Sequence, residues 1–195
     1  MAVKAVTERK TQILAAGEKL FNEKGYLATS VRDLADAVGM EAASLYSHYK
    51  SKEDILWTIA DRCANEFFES VKPIAASQLH TQKKLTDMII AHVGVITRNI
   101  DASAVFFREW RHIAEPRRSA YAKLRNDYEA IFKEVVRQGI QENLFKNYDE
   151  GFSTRTIMSA LNWTHTWYRQ DGELSSEEIG QHLAGILLNG LVRTV

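Results

Sequence analysis

The stretch AASLYSHY, from Ala42 to Tyr49, carries small and polar side chains of the types that contact the edges of DNA bases. Ala43 could contact a thymine methyl group, while Ser44 and Ser47 could hydrogen-bond to a base or a phosphate. The stretch contains no Arg, Asn or Gln, the residues that commonly make bidentate contacts with bases. We therefore expect its selectivity to depend on small-residue contacts and on DNA shape.

Further residues in and around this stretch could bind the phosphates of DNA. Tyr46 and His48 would point outward, and Lys52 follows shortly after them. Thr29 and Ser30 stand at a helix start, where hydroxyls and free backbone N–H groups can bind a phosphate. The predicted DNA-binding residues are therefore Thr29, Ser30, Ala43, Ser44, Tyr46, Ser47, His48 and Lys52.

The two tyrosines of this stretch could contact DNA or lie in the core. Leu45 and Tyr49 are four residues apart, so they would share the inward face of a helix, which favours the core for Tyr49. Tyr46 lies outside that face. We therefore assign Tyr46 to the DNA.

Two short helices joined by a turn, residues 30–49, are expected to position these side chains. Ser30 is a good N-cap, and the Asp33 carboxylate can reach back to the helix start. Gly39 suits the left-handed position that ends a helix, and a second helix resumes near Glu41. A helix, a short turn with glycine and a second helix place that second helix in the major groove of DNA.

Helices are also predicted on both sides of this motif. Residues 1–6 are expected to form a frayed arm, followed by a helix from Thr7 to about Lys24. Another helix starts after Ser51 and is expected to stop before Pro73. The resulting division is a tri-helical DNA-binding head at 7–67 and a larger helical domain at 73–195.

The second domain reads as helices throughout, which makes the predicted fold all-α with about nine helices. The predicted segments are 78–100, a short helix capped by Asp101, 116–139, 151–168, and a last helix capped by Ser175 and Glu178. The last helix has a broad apolar stripe that could be core or could pair with a second copy of the chain. We favour a homodimer through Leu183, Ile186, Leu187 and Leu191.

Aromatic and basic residues of this domain could bind a small effector. Aromatic faces would suit a flat apolar ligand or an adenine ring, and clustered arginines would suit the phosphates of coenzyme A. The alternatives are an aromatic core, and a solvated face on which the arginines pair with Glu109, Glu115 or Asp127. The candidates are Phe107, Arg108, Trp110, Arg111, Arg155, Trp163 and Trp167, with Arg117, Arg118 and Arg169 nearby.

Several other functions are not expected. The six histidines are scattered and the single cysteine is unrelated to them, so no metal site is predicted. No nucleophile triad, phosphate-binding glycine loop or paired-carboxylate motif appears, so neither an enzyme nor a cofactor is expected. No apolar run approaches the length of a membrane span and no signal peptide is recognisable, which makes the cytoplasm the expected location.

The segment TERKTQILAAGEKLFNEKGYLATSVRDLADAVGMEAASLYSHYKSKEDIL resembles the DNA-binding domain of TetR-type transcriptional repressors. The resemblance covers about the first sixty residues, including the LYSHYKSKEDIL signature. It implies an all-α homodimer whose two heads bind a palindromic DNA operator and whose C-terminal domain binds a small effector.

Two later segments, FFREWRHIAEPRRSAYAKLRNDYEAIF and LNWTHTWYRQDGELSSEEIG, are similar to ligand domains of TetR-type regulators of fatty-acid, phenylacetate and sterol-side-chain catabolism. That similarity implies an acyl-CoA thioester as the effector and catabolic genes as the target. Within the same class, the alternative is a repressor of an efflux or resistance gene induced by a hydrophobic drug. The alternative from a different class is a helical small-molecule carrier or interaction protein that does not bind DNA.

Overall fold

A computed structural model describes the backbone of residues 2–191 and the side chains of residues 7–190. Over the described backbone the chain forms ten α-helices, one 3-10 turn and no strand, which confirms the all-α class. The helices are α1 (Ala2–Lys24), α2 (Val31–Ala37), α3 (Ala42–Leu45), α4 (Lys52–Ala75), α5 (Thr81–Arg98), α6 (Ile100–Arg108), α7 (Arg117–Gln141), α8 (Glu150–Asn162), α9 (Thr164–Trp167) and α10 (Ser176–Leu191), with the 3-10 turn at Trp110–His112.

The helices belong to two compact units. The head unit consists of Met1–Ala64 and Asp101–Ala122, and the body unit consists of Asn65–Ile100 and Lys123–Val195. The units divide the chain differently from the predicted boundary near Pro73, since residues 101–122 belong to the head. Helices α4 and α7 each continue along the chain from one unit into the other.

The core of the head unit is apolar and closely packed. Phe21, Leu34 and Leu45 are fully buried, one from each of the first three helices. Gly17 of α1 faces α4, where a Cβ atom at this position would lie 2.9 Å from Ile55 Cγ2. Glycine therefore allows α1 and α4 to approach each other, which supports the small helices of the motif.

The body unit is built around α5, which packs along α10. Leu85, Met88 and Ile89 of α5 are fully buried. Gly180 of α10 faces Ile90, and a Cβ atom there would lie 2.9 Å from the Ile90 Cα atom. The absence of a side chain at Gly180 thus sets the close spacing of these two helices.

Several predicted helix ends are wrong. α1 begins at Ala2, so residues 2–6 are helical and Thr7 is not its cap, while Met1 lies outside the described residues. α4 passes through Pro73 to Ala75. Proline removes one backbone donor and crowds one carbonyl, and in the last turn of a helix this does not prevent the helix from continuing.

Two further boundaries in the second half of the chain also differ from the prediction. Asp101 lies in the first turn of α6 rather than at its cap, because the helix starts at Ile100. The helix predicted over 151–168 ends at Asn162 as α8, and the short α9 follows Trp163. The capping box of Ser175 and Glu178 at the start of α10 is confirmed.

No single helix within residues 2–191 has both the length and the apolar composition needed to cross a membrane. Only α5 and α6, which are separated by a sharp bend, meet that test when they are counted together.

Candidate nucleic-acid interface and effector segment

The start of α2 has the predicted capping geometry. Ser30 Oγ accepts a hydrogen bond from the Asp33 N–H at 3.0 Å, and the Asp33 carboxylate accepts one from the Ser30 N–H at 2.8 Å. The hydrogen bonds from the Ser30 hydroxyl and N–H lower the pKa of Asp33 to about 2. Gly39 follows the C-cap with a φ of +64°, as predicted. Ser30 remains exposed at the helix start.

The second helix of the motif is shorter than predicted. α3 ends at Leu45, and the chain continues in tight turns in which the Ser47 N–H donates to Ser44 O at 3.1 Å and the His48 N–H donates to Leu45 O at 2.9 Å. Leu45 and Tyr49 are buried, which confirms the core assignment of Tyr49.

The outward face of this motif carries four of the predicted DNA-binding residues. Ala43, Ser44 and Ser47 are exposed, and Tyr46 is 53% exposed although it is a large aromatic residue. An exposed tyrosine beside three small side chains leaves this surface open to the backbone and base edges of DNA. The face therefore has the composition and the exposure that a DNA contact requires.

Thr29 does not have the role predicted for its side chain, and the ammonium of Lys52 is partly engaged within the head. Thr29 is fully buried, and its hydroxyl donates to Gly25 O at 2.9 Å. The Lys52 ammonium donates to the carbonyl oxygens of Tyr26 and Thr29, at 2.7 Å each, and lies 4.2 Å from the centre of the Tyr26 ring. Burial lowers the pKa of Lys52. The structure corrects the prediction for Thr29, whose hydroxyl bonds within the head, whereas a phosphate contact by the third N–H group of the Lys52 ammonium stays a prediction.

Three further basic residues, His48, Arg32 and Lys50, lie in or next to the motif. His48 is half-buried, and its Nδ1 atom has no hydrogen-bond partner among the described residues. Arg32 of α2 and Lys50, which directly follows the motif, are exposed, and the sequence reasoning did not select them. Their positive charge next to Ser30 and Tyr49 was the signal available for choosing them.

Residues 101–122, which we call the clamp segment, belong to the head unit and are bonded to α1 through Asn22. The Asn22 Nδ2 atom donates to Asp101 Oδ1 at 2.6 Å. The Arg108 guanidinium donates to Asn22 O at 3.1 Å and also to Asn22 Oδ1. One side chain at the end of α1 therefore holds both ends of α6.

The clamp segment is also bonded to the start of α4. Arg117 forms an ion pair with Asp54, with 2.6 Å between Nη1 and Oδ1, and its guanidinium lies 5.8 Å from the centre of the Trp57 ring. The Ala114 N–H donates to Glu53 Oε1 at 3.2 Å. Because α4 follows the DNA-facing turns directly, these contacts connect the clamp segment to the base of the motif.

Within the clamp segment, the predicted effector residues differ in their surroundings. Trp110 stacks on the buried Tyr121, with ring centres 5.9 Å apart and planes at 5°. Phe107 is half-buried against Phe106, with ring centres 5.2 Å apart. Arg111 is exposed and forms no ion pair within residues 7–190. Arg108, in contrast, is occupied by its hydrogen bonds to Asn22.

Of the two arginines at the start of α7, only one pairs with an acidic residue that the solvated-face alternative named. Arg118 pairs with Glu115 at 3.0 Å on an exposed surface, as that alternative predicted. Arg117 pairs with Asp54, which is 63 residues away in sequence and was not among the predicted partners.

The other predicted effector residues belong to the body unit. Trp163 is 65% exposed and Trp167 is 46% exposed, so neither is a core residue. Trp163 lies at the junction of α8 and α9, and the single predicted helix that would carry both tryptophans is therefore interrupted. Arg155 is exposed on α8 and has no ion pair within the described side chains.

A buried polar network in the body unit was missed by the sequence reasoning. His92 is fully buried, stacked on Phe67, with Nδ1 2.9 Å from the Tyr128 hydroxyl and Nε2 3.1 Å from Asn162 Oδ1. Burial lowers the pKa of His92 to about 3, so the ring is neutral at physiological pH. Since an amide oxygen only accepts, Nε2 carries the hydrogen and Nδ1 accepts from Tyr128. The network joins α5, α7 and α8.

An exposed apolar face occurs on α10, where the dimer contact was predicted. Ile186 is 72% exposed, and Leu183 and Leu187 are half-buried, while Ala184 and Leu188 point into the core. The side chain of Leu191 lies outside the described residues. Within residues 7–190, no group of three or more histidine, cysteine or acidic side chains is placed to hold a metal ion.

Two family models match the chain, one for each of the predicted domains. The model described as bacterial regulatory proteins, tetR family, matches residues 13–57. The model described as tetracyclin repressor-like, C-terminal domain, matches residues 78–191.

Relatives with similar sequence and solved structures of the same fold extend these matches over most of the chain. The HTH-type transcriptional repressor KstR2 of Mycobacterium tuberculosis (strain ATCC 25618 / H37Rv) is 27% identical over 190 residues, which cover 96% of this chain and 95% of KstR2. The structure of that ketosteroid transcriptional regulator superposes with a TM-score of 0.90 at 26% identity, covering 95% of this chain and 96% of the other. PfmR, a TetR family transcriptional regulator from Thermus thermophilus, has a TM-score of 0.85 at 30% identity and covers 93% and 99% of the two chains.

A third structure was solved with ligands. AibR in complex with isovaleryl coenzyme A and operator DNA has a TM-score of 0.83 at 23% identity, covering 91% of this chain and 97% of AibR. At this identity the likeness concerns the fold.

Proposed function

Because the chain belongs to the TetR family, we propose that it is a repressor of catabolic genes that binds a palindromic operator as a homodimer and is released by an acyl-CoA thioester. Members of this family are DNA-binding transcription regulators and not enzymes, and this class applies to the chain. As a DNA-binding regulator it would act in the cytoplasm, where its operator is found. The observation that carries the proposal is that the clamp segment, which carries predicted effector residues, forms hydrogen bonds and an ion pair with Asn22 of α1 and Asp54 of α4.

On the DNA side, the proposed contacts are made by the exposed residues of the head. Tyr46 and Ser47 would bind phosphates or base edges, and Ala43 would contact a thymine methyl group. Ser30 would present its hydroxyl and the N–H groups of α2 to a phosphate. Arg32 and Lys50, which are both exposed, add positive charge to the head.

The proposed homodimer uses the apolar face of α10. Most of the Ile186 side chain is exposed beside the half-buried Leu183 and Leu187, and burying this apolar face against a second copy is favourable. A two-fold axis at this face would give two heads, as a palindromic site requires. The recognition elements would then have to lie about 34 Å apart, one helical turn of DNA, to occupy adjacent major grooves.

Release by an effector would depend on the clamp segment. It carries Phe107, Trp110 and Arg111, which are proposed effector residues, and it bonds directly to Asn22 of α1 and to Asp54 of α4. A ligand that shifts this segment would shift those helices, because ion pairs and hydrogen bonds fix their relative positions. The effector needs to favour the shifted conformation by only about 1–3 kcal/mol, which is typical of such coupling.

The chemistry of the exposed cations supports an anionic effector. Arg111 and Arg155 are exposed and unpaired within residues 7–190, and guanidinium groups bind phosphates bidentately. Trp163 and Trp167 offer exposed aromatic faces for an adenine ring. The same fold in AibR accommodates isovaleryl coenzyme A and operator DNA, as the structure of that complex shows.

The proposal is tested with the DNA upstream of the gene for this protein. Fluorescence anisotropy of that DNA should show tight binding whose log Kd rises linearly with log salt concentration. A panel of acyl-CoA thioesters, with the free acids and coenzyme A as controls, is then added to the complex. Release by one thioester, but not by its acid, supports the proposal. Release only by hydrophobic drugs would assign the chain to efflux control, and the absence of any DNA binding would reject the repressor assignment.

A further inference from the structure

A polar cleft of about 450 Å³ opens at the start of α5, within the body unit. Neither the predicted DNA-binding set nor the predicted effector set includes any of its residues. It is lined by Ser77, Gln78, Leu79, His80, Thr81, Lys84, Gln138, Glu142 and Leu144.

The N-terminus of α5 lies in this cleft without a side-chain cap. His80 is the N-cap residue, and its side chain makes no capping hydrogen bond. The first intrahelical bond runs from the Lys84 N–H to His80 O, at 2.9 Å. The backbone N–H groups of the three residues before Lys84 therefore have no partner within the helix, and the dipole of this 18-residue helix places positive charge there.

Lys84 is a buried cation in the same cleft. The residue is only 7% exposed, and within residues 7–190 its ammonium forms no hydrogen bond and no ion pair. The carboxylate of Glu142 attracts this ammonium but does not bond to it, so a bound anion would supply the direct partner that Lys84 lacks among the described side chains. This burial is independent of the uncapped helix start, and both features favour negative charge in the same place.

Glu142 is the carboxylate that faces this site, and it is already bonded. It accepts the Thr81 hydroxyl at 2.5 Å and the Gln138 amide at 2.9 Å. The hydrogen bond from Thr81, followed by that from Gln138, lowers the pKa of Glu142, and attraction to Lys84 contributes less. Glu142 thus remains ionised, and its charge would weaken the binding of another anion nearby.

We infer that the cleft at the start of α5 is a binding site for a small oxyanion, a phosphate or a carboxylate, held by the Lys84 ammonium and the N–H groups of the first turn of α5. The site is separate from the DNA-binding face and from the proposed effector residues, and it does not depend on the proposed function.

The test measures anion binding by the full-length protein. Thermal unfolding is followed at constant pH and constant ionic strength while chloride is replaced by phosphate in one series and by succinate in another. A saturable rise in Tm gives an apparent Kd, and the comparison of the two series identifies the preferred oxyanion. The inference is overturned if neither anion raises Tm in a saturable manner beyond the effect of chloride.

Three variants localise the effect. Lys84→Met should weaken the apparent Kd at least tenfold, whereas Lys83→Met, which removes an exposed lysine paired with Asp87, should leave it unchanged. Glu142→Gln should tighten binding severalfold, because it removes the facing charge and keeps an acceptor for Thr81. Equal Kd values for Lys84→Met and the wild type would overturn the inference. If Lys84→Met loses its helical circular dichroism and is therefore unfolded, the Kd of Glu142→Gln is the deciding measurement. A tighter Kd supports the site, and an unchanged Kd rejects it.

Discussion

Arg117 and Asp54 form an ion pair, with 2.6 Å between Nη1 and Oδ1, that joins the first residue of α7 to the first turn of α4. Asp54 also accepts a hydrogen bond from the Lys50 N–H at 3.0 Å, next to the DNA-facing turns. A displacement of the start of α7 therefore reaches the base of the DNA-binding motif through two bonds to one carboxylate. The contact lies within the head unit, so it does not depend on the position of the body.

Removing this ion pair should destabilise the protein slightly and reveal the coupling between its two partners. Arg117→Gln and Asp54→Asn are each expected to destabilise the protein by about 0.5–1 kcal/mol, since Arg117 is partly exposed and solvent screens the pair. The double mutant should show a coupling energy of at least about 0.5 kcal/mol in urea unfolding. Arg118→Gln, which loses only an exposed pair with Glu115, is the matched control and should be neutral. If the changes in unfolding free energy of the two single mutants add up to that of the double mutant, Arg117 and Asp54 do not interact energetically.

The capping of α2, the turn at Gly39 and the burial of Tyr49 could be predicted because each depends on residues close together in sequence. Ser30 and Asp33, which cap α2, are only three residues apart, and the turn at Gly39 depends on the positive φ angle of that one residue. A few consecutive residues are therefore enough to predict both features. Tyr49 was assigned to the core from its spacing to Leu45. Each of these expectations depended on helical periodicity or capping, and each is confirmed.

The parts that were missed depend on residues far apart in sequence. The sequence suggested a phosphate contact for Lys52 but not that its ammonium also donates to carbonyl groups 23 and 26 residues earlier. His92 finds its partners 36 and 70 residues later. Periodicity assigns a face to such residues and does not identify what covers that face. The sequence also did not predict that the clamp segment belongs to the head unit, because its partners in α1 and α4 lie far from it in sequence.

The burial of His92 should make stability fall at acidic pH. Its pKa is lowered from 6.5 to about 3 in the folded protein, so between these values the unfolded chain binds a proton that the folded chain does not. The His92 contribution is complete above pH 6.5 and is lost as pH falls towards 3, at up to about 1.4 kcal/mol per pH unit. His92→Gln should reduce the pH dependence of the urea unfolding free energy between about pH 6.5 and 4.5. His182→Gln, at an exposed site, should retain the wild-type slope, and equal slopes for all three proteins would contradict this account.

Gly180 should tolerate no side chain. Gly180→Ala would place a methyl group 2.9 Å from the Ile90 Cα atom, and backbone cannot move aside as a side-chain end can. We expect a destabilisation of about 1–3 kcal/mol, despite the higher helix propensity of alanine. Gly94→Ala in α5 is the control, because its new methyl group meets only the end of the flexible Arg98 side chain. That variant should be neutral or slightly more stable, and a neutral Gly180→Ala would refute the packing argument.

Tyr46 should be required for operator binding and dispensable for folding. Its side chain is 53% exposed and makes no contribution to the core, so Tyr46→Ala should retain the wild-type circular dichroism and unfolding midpoint. Operator affinity should fall at least about tenfold, the equivalent of about 1.4 kcal/mol, because a phosphate or base contact is lost. Tyr148→Ala, at a tyrosine of the body unit that is 52% exposed, should bind DNA normally. Wild-type affinity of Tyr46→Ala in a gel shift would remove Tyr46 from the proposed interface.

Ile186 should be essential for the homodimer. A glutamate at this position would place a charge in the centre of the proposed contact, where desolvating it is costly, and it would not disturb the fold because the side chain is 72% exposed. Ile186→Glu should therefore be monomeric in analytical ultracentrifugation at concentrations where the wild type is dimeric, and it should bind the full operator with the low affinity of a single head. Leu27→Glu is the matched control, since Leu27 is 74% exposed in the head unit, and it should remain dimeric. A dimeric Ile186→Glu with normal operator affinity would show that α10 is not the interface, and a monomeric Leu27→Glu would place the contact on the head.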